Sequence, residues 1–323
     1  MERLTSQRVL VTGGAGFIGG HLVELLLKRN YHVTVIDIQK PCASYFFQKS
    51  LDQKAEYRIV DIRKRRQVES FFTLVNPAYV IHLAALPIVR DAYDHPLATF
   101  ETNIMGTVNI LESCRKSRNI KGIIVASSDK AYGKTNVSYT EDCPLKGDHP
   151  YDVSKTCTDL LAQTYYKTYG LPVVVTRFGN VYGEGDLYVD RIIPGICASL
   201  VTHTPLAIRS DGTFVRDYIY VKDVAGAYFF LLKKISSLIG QAYNIGSDTT
   251  CSVLGLIALS ERILRRKIPY TVENTAVNEI PYQHLNDTKI RKLGWKNRHG
   301  FKKVLPGILR WYVNNKDRIL FTK

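Results

Sequence analysis

The stretch RVLVTGGAGFIGG, residues 8–20, decides the fold. A run of β-branched and apolar residues, typical of a buried strand, passes into a glycine-rich turn and then into a helical pattern, GFIGGHLVELLLKRN. Glycines at such a junction let the backbone turn tightly and approach a ligand, and the helix start offers free N–H groups and a positive dipole. The stretch therefore predicts a phosphate-binding loop at the end of a first β-strand.

The context of this loop points to a dinucleotide. Asp37 closes the second strand, 18 residues after Gly19, where a carboxylate accepts hydrogen bonds from a ribose 2′-hydroxyl and repels a 2′-phosphate. We therefore expect NAD rather than NADP, although the nearby Lys40 weakens this preference. Asp61, at the end of the third strand, is the candidate to meet the adenine, although a strand-end Asp often only forms a turn. The expected cofactor-binding residues are Gly13, Gly16, Phe17, Ile18, Gly19, Asp37, Ile38, Asp61, Ile62, Leu83, Ala84 and Ala85, together with Tyr151 and Lys155.

The same alternation of strands and helices continues beyond the loop. Near-continuous apolar runs are typical of parallel strands that helices cover on both faces. The predicted strands are residues 8–12, 32–37, 57–61, 79–84, 122–127 and 172–178. This pattern predicts an α/β fold with a doubly wound parallel (Rossmann) sheet. We expect an NAD-binding domain at residues 1–180 and a smaller C-terminal substrate-binding lobe at residues 181–323, with some segments returning to the sheet.

Composition excludes several other classes of protein. The 323 residues are 45% hydrophobic and 23% charged, as in globular proteins, and the formal net charge is +15. The basic residues are scattered without a nucleic-acid motif, no apolar run approaches the roughly 18 residues of a membrane span, and no secretory signal opens the sequence. The six cysteines are also scattered, so we expect neither a disulfide framework nor a metal site. These features predict a reduced, soluble, cytoplasmic protein without nucleic-acid or membrane partners.

Tyr151 and Lys155 form the candidate acid/base pair. They lie four residues apart, directly after the helix breaker Pro150, so both are expected on one helix face. A cation beside a tyrosine lowers the pKa of the phenol, and the phenolate can then take a proton from a substrate hydroxyl. Three other tyrosine/lysine pairs share this spacing. Only this pair follows a polar strand end, SSDKAYG (127–133), at the sheet edge where ligands of doubly wound folds bind.

Four motifs in this order resemble the extended short-chain dehydrogenase/reductases that act on nucleotide sugars: TGGAGFIGG, SSDKAYG, YDVSK and RFGNVYG (177–183). The resemblance covers nearly the whole chain. It implies NAD as the cofactor, a nucleotide sugar as the substrate, and Ser128, Tyr151 and Lys155 as catalytic residues, with Ser128 hydrogen-bonded to the sugar 4-oxygen. It also implies a homodimer, in which the helices around residues 95–118 and 151–169 pair as a four-helix bundle.

The residues after Ser128 separate the reactions of this family. Sugar-nucleotide 4-epimerases have no acid/base pair there, whereas 4,6-dehydratases carry an Asp and then usually a Glu. This chain has Asp129 followed by Lys130, a variant similar to CDP-glucose 4,6-dehydratases. We therefore expect a 4,6-dehydratase in which a protonated Asp129 donates to the departing 6-hydroxyl and a neutral Lys130 takes the C5 proton. A loop-capping Asp129 and a solvated or phosphate-facing Lys130 remain as alternatives.

The same resemblance implies a substrate site. Arg191 and Arg216 are expected at the nucleotide diphosphate, and Arg90 and Asn180 beside them, although each arginine could instead be a surface residue. The cofactor loop and residues 216–224 resemble epimerases and dTDP- or UDP-sugar dehydratases, so the nucleotide base and the hexose stay open. A nucleotide-sugar 4-epimerase and a non-catalytic NAD-binding protein stay open as alternative functions.

Overall fold

A seven-stranded sheet forms the centre of the protein. The computed structural model describes residues 8–38, 43–275 and 279–320, so Lys40 and Cys42 lie outside the described residues. The strands of this sheet are β1 (Arg8–Thr12), β2 (His32–Asp37), β3 (Glu56–Ile59), β4 (Tyr79–His82), β5 (Gly122–Ala126), β6 (Val173–Phe178) and β10 (Ala242–Ile245). Their order is β10-β6-β5-β4-β1-β2-β3, and every neighbouring pair is parallel.

Helices cover both faces of this sheet. They are α1 (Phe17–Lys28), α2 (Tyr45–Gln48), α3 (Arg65–Val75), α4 (Val89–Asp94), α5 (Pro96–Phe100), α6 (Gly106–Lys116), α7 (Pro150–Tyr169), α8 (Ile192–Thr202), α9 (Val221–Lys234), α10 (Val253–Leu264), α11 (Thr288–Lys292), α12 (Phe301–Asn314) and α13 (Lys316–Leu320). Successive strand residues point to opposite faces, so Val9 and Val11 pack with α1 and α9 while Leu10 packs with α3, α6 and α7. The predicted doubly wound Rossmann fold is confirmed.

The seventh strand is one that the sequence analysis does not name. β10 has only four residues, AYNI, and it follows α9 and a short 3₁₀ turn, Ile235–Ser237. It pairs with β6, with Ala242 beside Val175, so the chain returns to the sheet after leaving it at Phe178. At the other end of the sheet β3 is an edge strand, and Ile59 is 65% exposed there. The division at residue 180 stays a prediction.

Five short strands stand apart from the large sheet and position the outer wall of the site. β7 (Asn180–Tyr182), β9 (Val215–Tyr220) and β11 (Thr250–Ser252) form a three-stranded sheet, and β8 (Leu206–Ile208) pairs with β12 (Tyr270–Val272). Inside the described ranges, no helix is both long and apolar enough to cross a lipid bilayer. The cytoplasmic location stays a prediction.

The helix expected around residues 95–118 is interrupted. A π-helical segment, Glu101–Met105, separates α5 from α6, and such segments often occur near functional sites. It places Asn103 in the interior, where Nδ2 donates to Oγ of Ser154 at 2.9 Å and Oδ1 accepts from the N–H of Leu86 at 2.8 Å. The segment therefore joins the loop after β4 to helix α7.

Candidate active site

A large cleft lies between the carboxyl edge of the seven-stranded sheet and the smaller sheets. Its volume is about 1060 Å³, at the upper end of ligand sites. One wall carries the glycine loop with Leu83, Ala84 and Ala85, and the opposite wall carries residues of β7, β8 and β9. Ser128, Lys130, Tyr151 and Lys155 line it between these walls. The cleft therefore holds both sets of residues that the sequence motifs select.

The glycine loop packs so closely against protein backbone that side chains cannot fit at two of its positions. Gly13 has a φ of +68°, and a Cβ there would lie 2.7 Å from the backbone nitrogen of Ala84. A Cβ on Gly19 would lie 2.2 Å from the carbonyl oxygen of Gly13. Gly16 begins α1 without a side-chain cap, so the first N–H groups of that helix are free to bind an anion. Gly13, Gly16, Phe17, Ile18 and Gly19 all line the cleft, and this cradle fits a pyrophosphate.

Asp37 lies at the end of β2 on the wall of the cleft. Its carboxylate accepts hydrogen bonds from the N–H groups of Ala15, at 3.2 Å, and Ile38, at 2.9 Å. Burial nevertheless raises the pKa of Asp37, because taking an anion out of water disfavours it. The Asp37 carboxylate is thereby fixed beside the glycine loop, as a ribose-binding carboxylate must be.

Of the two predicted cofactor residues that follow β3, only one lies on the cleft wall. Ile62 lines the cleft, whereas Asp61 is absent from the described part of its wall. The Asp61 carboxylate instead accepts three hydrogen bonds from the Arg63 guanidinium and one from the Arg63 N–H. These bonds lower the pKa of Asp61. Of these two predicted cofactor residues, the structure brings Ile62 to the cleft and ties Asp61 to its neighbour.

A buried hydrogen-bond chain behind the loop is missed by the sequence analysis. The Thr12 hydroxyl donates to Nδ1 of His82 at 2.7 Å and accepts from the N–H of Ala84 at 3.2 Å. Nε2 of His82 donates to the hydroxyl of Thr107 at 3.0 Å, since that hydroxyl donates to the Asn103 carbonyl. Complete burial lowers the pKa of His82 to about 3. A neutral histidine therefore fixes Ala84 beside Gly13.

Tyr151, Ser128 and Lys155 converge in the middle of the cleft. The Tyr151 side chain is hydrogen-bonded to Ser128, and its burial raises the pKa of the phenol. Nζ of Lys155 donates to the carbonyl of Ala126 at 2.8 Å, and burial lowers the pKa of Lys155 to about 8. The phenol, the hydroxyl and the ammonium that the sequence predicts are therefore neighbours on one wall.

Asp129 and Lys130 follow in a 3₁₀ turn, Asp129–Tyr132, that Ser128 caps. The Ser128 hydroxyl accepts the N–H of Lys130 at 3.2 Å and donates to Oδ1 of Asp129 at 3.0 Å. Nζ of Lys130 lies 3.4 Å from the same Oδ1. Lys130 lines the cleft. Asp129 is 1% exposed, and its Oδ2 has no hydrogen-bond partner in the described structure.

The four predicted substrate residues all line the cleft. Nη1 of Arg191 lies 2.7 Å from the buried carboxylate of Asp186, and Nη2 of Arg216 lies 3.2 Å from Glu279. Arg90 is exposed, 3.8 Å from Asp190. The amide of Asn180 donates to the carbonyl of Asp217 at 3.4 Å.

Two further cleft residues are missed by the sequence analysis. Arg209 follows β8 and lines the cleft, and within the described ranges its guanidinium has no hydrogen bond or ion pair. Asp152 directly follows Tyr151 and is 4% exposed. An aspartate in the first turn of a helix is ordinarily explained by the helix dipole, so the sequence alone carried no signal for a buried acid.

Comparisons with known proteins match this chain to a family of NAD-dependent enzymes. The model of the family described as "NAD dependent epimerase/dehydratase family" matches residues 9–246. A trifunctional UDP-glucose 4,6-dehydratase, 3,5-epimerase and reductase of Arabidopsis thaliana is 31% identical over 96% of this chain and 48% of its own length. The chain thus spans about half the length of this curated relative.

Solved structures of both reaction types are similar to this chain. UDP-glucose 4-epimerase of Thermotoga maritima, solved with UDP-glucose, has a TM-score of 0.87 at 28% identity, covering 96% of this chain and 99% of that one. dTDP-glucose 4,6-dehydratase of Bacillus anthracis, solved with NAD, has a TM-score of 0.86 at 28% identity, covering 98% and 100%. With the glycine cradle and the Tyr151 site, these matches show that the chain is an enzyme that belongs to the NAD dependent epimerase/dehydratase family and has NAD as its cofactor.

Proposed function

We propose that this protein is an NAD-dependent nucleotide-diphosphate-hexose 4,6-dehydratase, a hydro-lyase that forms an NDP-4-keto-6-deoxyhexose. The observation that carries the proposal is the Asp129 and Lys130 pair, 3.4 Å apart and joined through Ser128 to Tyr151. A reaction that only oxidises and reduces C4 needs Tyr151 and Ser128. Elimination of water needs a further acid and a further base, and this pair supplies two such groups at the same place.

The first step removes the proton of the sugar 4-hydroxyl. Tyr151 accepts that proton, and Ser128 holds the sugar oxygen by a second hydrogen bond. The glycine cradle and Asp37 would hold NAD, which would supply the hydride acceptor for C4 and, once reduced, the hydride donor for C6. The Tyr151 phenol is buried and its pKa is raised, so the phenolate depends on a nearby cation, and the Lys155 ammonium on the same helix face is the candidate.

The second step removes water from the 4-keto sugar. The new ketone acidifies C5–H, and the neutral Lys130 amine takes this proton. As the C5=C6 double bond forms, the C6–O bond breaks and the leaving oxygen takes the proton of Asp129, so water departs. The Lys130 ammonium then returns a proton to C5 while C6 is reduced. Nζ of Lys130 and Oδ1 of Asp129 lie 3.4 Å apart, so the proposed base and the proposed acid are adjacent.

The site offers cations for the substrate diphosphate. Arg191 and Arg216 are held by carboxylates at 2.7 and 3.2 Å, so a planar guanidinium is already oriented in each case. Arg90 and Asn180 are proposed to bind the substrate beside them. We also propose that Asp61 binds the cofactor, which requires its hydrogen bonds to Arg63 to break.

A homodimer is also proposed. Exposed apolar side chains lie on the α5, π and α7 segments, where Leu97 is 70%, Met105 52% and Leu160 49% exposed. A second copy would cover these side chains if the helices of two subunits pair as a four-helix bundle.

A nucleotide-sugar 4-epimerase is the second candidate, favoured by the similarity to the Thermotoga maritima enzyme, which is as high as that to the dehydratase. The test is a product assay with CDP-, UDP-, dTDP- and GDP-glucose. The proposal expects one of them to lose a water molecule while NAD is not consumed. A product of unchanged mass with inverted C4 would instead establish the epimerase.

A further inference from the structure

His82 is a buried histidine that the proposed steps do not use. It ends β4, is 2% exposed and lies beside Thr12 of β1 in the register of the large sheet. The preceding residues of β4, Val80 and Ile81, are apolar and wholly buried. A polar ring at such a position costs free energy unless both of its nitrogens are hydrogen-bonded. The histidine therefore calls for an explanation beyond packing.

The hydrogen bonds of His82 form one chain with a single direction. The Thr107 hydroxyl donates to the Asn103 carbonyl at 2.6 Å, so it accepts from His82, and the proton lies on Nε2. His82 is neutral because burial lowers its pKa to about 3, so Nδ1 carries no proton and accepts the hydroxyl hydrogen of Thr12 at 2.7 Å. The Thr12 oxygen accepts the N–H of Ala84 at 3.2 Å. We call these five residues the His82 chain.

One end of the His82 chain lies at the NAD cradle. Ala84 lines the cleft. Its backbone nitrogen is so near Gly13 that a Cβ on Gly13 would lie 2.7 Å from it. The bond from the Ala84 N–H to Thr12 therefore fixes a part of the wall against which the glycine loop packs.

The other end of the His82 chain lies at helix α7. The Asn103 carbonyl also accepts the hydroxyl of Thr158 at 2.9 Å, and Nδ2 of Asn103 donates to Oγ of Ser154 at 2.9 Å. The Ser154 hydroxyl in turn donates to the carbonyl of Tyr151 at 2.7 Å. Ser154 and Thr158 are both buried. Asn103 therefore holds the first turns of α7, which carry the candidate acid/base pair.

We propose that His82 is a positioning residue that acts on both the cofactor and the catalytic helix: through Thr12 it holds the NAD cradle, and through Thr107 it holds α7. Its effect on C4 oxidation rests on the proposed function, whereas its effect on NAD binding rests on the cofactor of the family. The two ends can be cut separately, because valine replaces either threonine without the hydroxyl and serine keeps it.

The first experiment cuts each end of the His82 chain and measures two quantities. Thr12→Val should weaken NAD binding by about tenfold in calorimetric titration, while stopped-flow absorbance shows an unchanged rate of C4 oxidation at saturating NAD. Thr107→Val should slow C4 oxidation by about tenfold and leave NAD affinity unchanged. Thr12→Ser and Thr107→Ser should restore wild-type values. Thr99→Val is the matched control, because Thr99 is 1% exposed and, in the described part of the chain, its hydroxyl bonds only to the His95 carbonyl.

The pattern of losses decides between positioning and general destabilisation. If each valine variant lowers NAD affinity and C4 oxidation by the same factor, the threonines only stabilise the fold and the inference is overturned. Wild-type values in both variants overturn it as well.

The second experiment needs no turnover. Nitrogen NMR of the imidazole in wild type should show His82 as a neutral ring with its proton on Nε2 at neutral pH. Thr107→Val should speed hydrogen exchange of the amide groups of residues 150–158, measured by mass spectrometry. A proton on Nδ1, or unchanged exchange, overturns the inference. If both results hold but wild type oxidises no glucose nucleotide, the proposed function fails and the role of His82 stands.

Discussion

Nζ of Lys130 lies 3.4 Å from Oδ1 of Asp129, and the same oxygen accepts the hydroxyl hydrogen of Ser128 at 3.0 Å. The pair is connected through Ser128 to Tyr151. The proposed oxidation at C4 and elimination across C5 and C6 would therefore have their proton donors and acceptors at one place, where the turn after β5 meets α7. A loop-capping Asp129 would need no lysine partner, and a fully solvated Lys130 would not be 19% exposed.

Replacement of Tyr151 by Phe should abolish C4 oxidation while NAD still binds. The substitution removes only the hydroxyl that takes the proton, and general base catalysis contributes about 10²- to 10⁴-fold. Stopped-flow absorbance of reduced NAD measures the step, and NAD titration by fluorescence is the control. Turnover by Tyr151→Phe at the wild-type rate would contradict the role of Tyr151, and no turnover of any glucose nucleotide by wild type would favour the alternative in which the chain binds NAD without catalysis.

Asp37→Ser should weaken NAD binding. The carboxylate is held by two backbone N–H groups, and a hydrogen bond to a charged group is worth about 1.5–3 kcal/mol. Calorimetric titration should show NAD affinity falling by roughly tenfold or more, with a smaller change for NADP because its phosphate is no longer repelled. Equal losses for both dinucleotides would mean that Asp37 does not face the ribose.

Gly13→Ala should destabilise the protein and impair NAD binding. The new Cβ meets the Ala84 backbone, and Gly13 has a positive φ; strain of this kind costs about 1–3 kcal/mol. Gly226→Ala in α9 is the matched control, since nothing lies within 4 Å of its Cβ position, and alanine there should stabilise the helix by about 0.5–1 kcal/mol. Urea unfolding distinguishes the two. Equal effects would refute the close approach of the loop to β4.

Asp152 should make stability fall with rising pH. Its pKa in the folded protein is raised to about 7, so the folded state binds more protons than the unfolded state between the two pKa values. Its contribution is complete below about pH 4 and is lost as the pH rises through 7. Between pH 4 and 8 the free energy of unfolding of wild type should fall by about 2–4 kcal/mol more than that of Asp152→Asn. Parallel stability curves by urea unfolding would contradict the burial of this carboxylate.

The fold could be predicted from the sequence because it depends on local patterns, whereas the catalytic residues stay a prediction. Apolar runs mark six of the seven strands of the large sheet. The glycine loop predicts a tight turn between a strand and a helix, and the spacing within YDVSK places its Tyr and Lys on one helix face. β10 escapes prediction because four residues, AYNI, carry too little periodicity, and only the ladder with β6 makes them a strand. The π segment at Glu101–Met105 escapes because its apolar spacing fits an uninterrupted helix equally well.

Side-chain bonds and packing that no sequence pattern reveals account for the rest. His82 bonds to Thr12 and Thr107, 70 and 25 residues away, and no local pattern pairs them. Asp61 looks like any strand-end acid, yet Arg63, two residues on, engages both of its oxygens. Asp152 lies inside a recognisable motif, but its burial depends on packing between α7 and the turn after β5.

The most direct measurement of the central claim is C5 deuterium uptake in D₂O by wild type and Lys130→Met, with Lys134→Met as the matched control because Lys134 is 42% exposed beside Asp148. The sugars are the four glucose nucleotides, and NMR of the product locates the deuterium. We expect wild type and Lys134→Met to give a 4-keto-6-deoxy product with deuterium at C5, and Lys130→Met to oxidise C4 without deuterium uptake. A wild-type product that is the C4 epimer with its original C5 proton would contradict the dehydratase, and full uptake by Lys130→Met would contradict the role of Lys130.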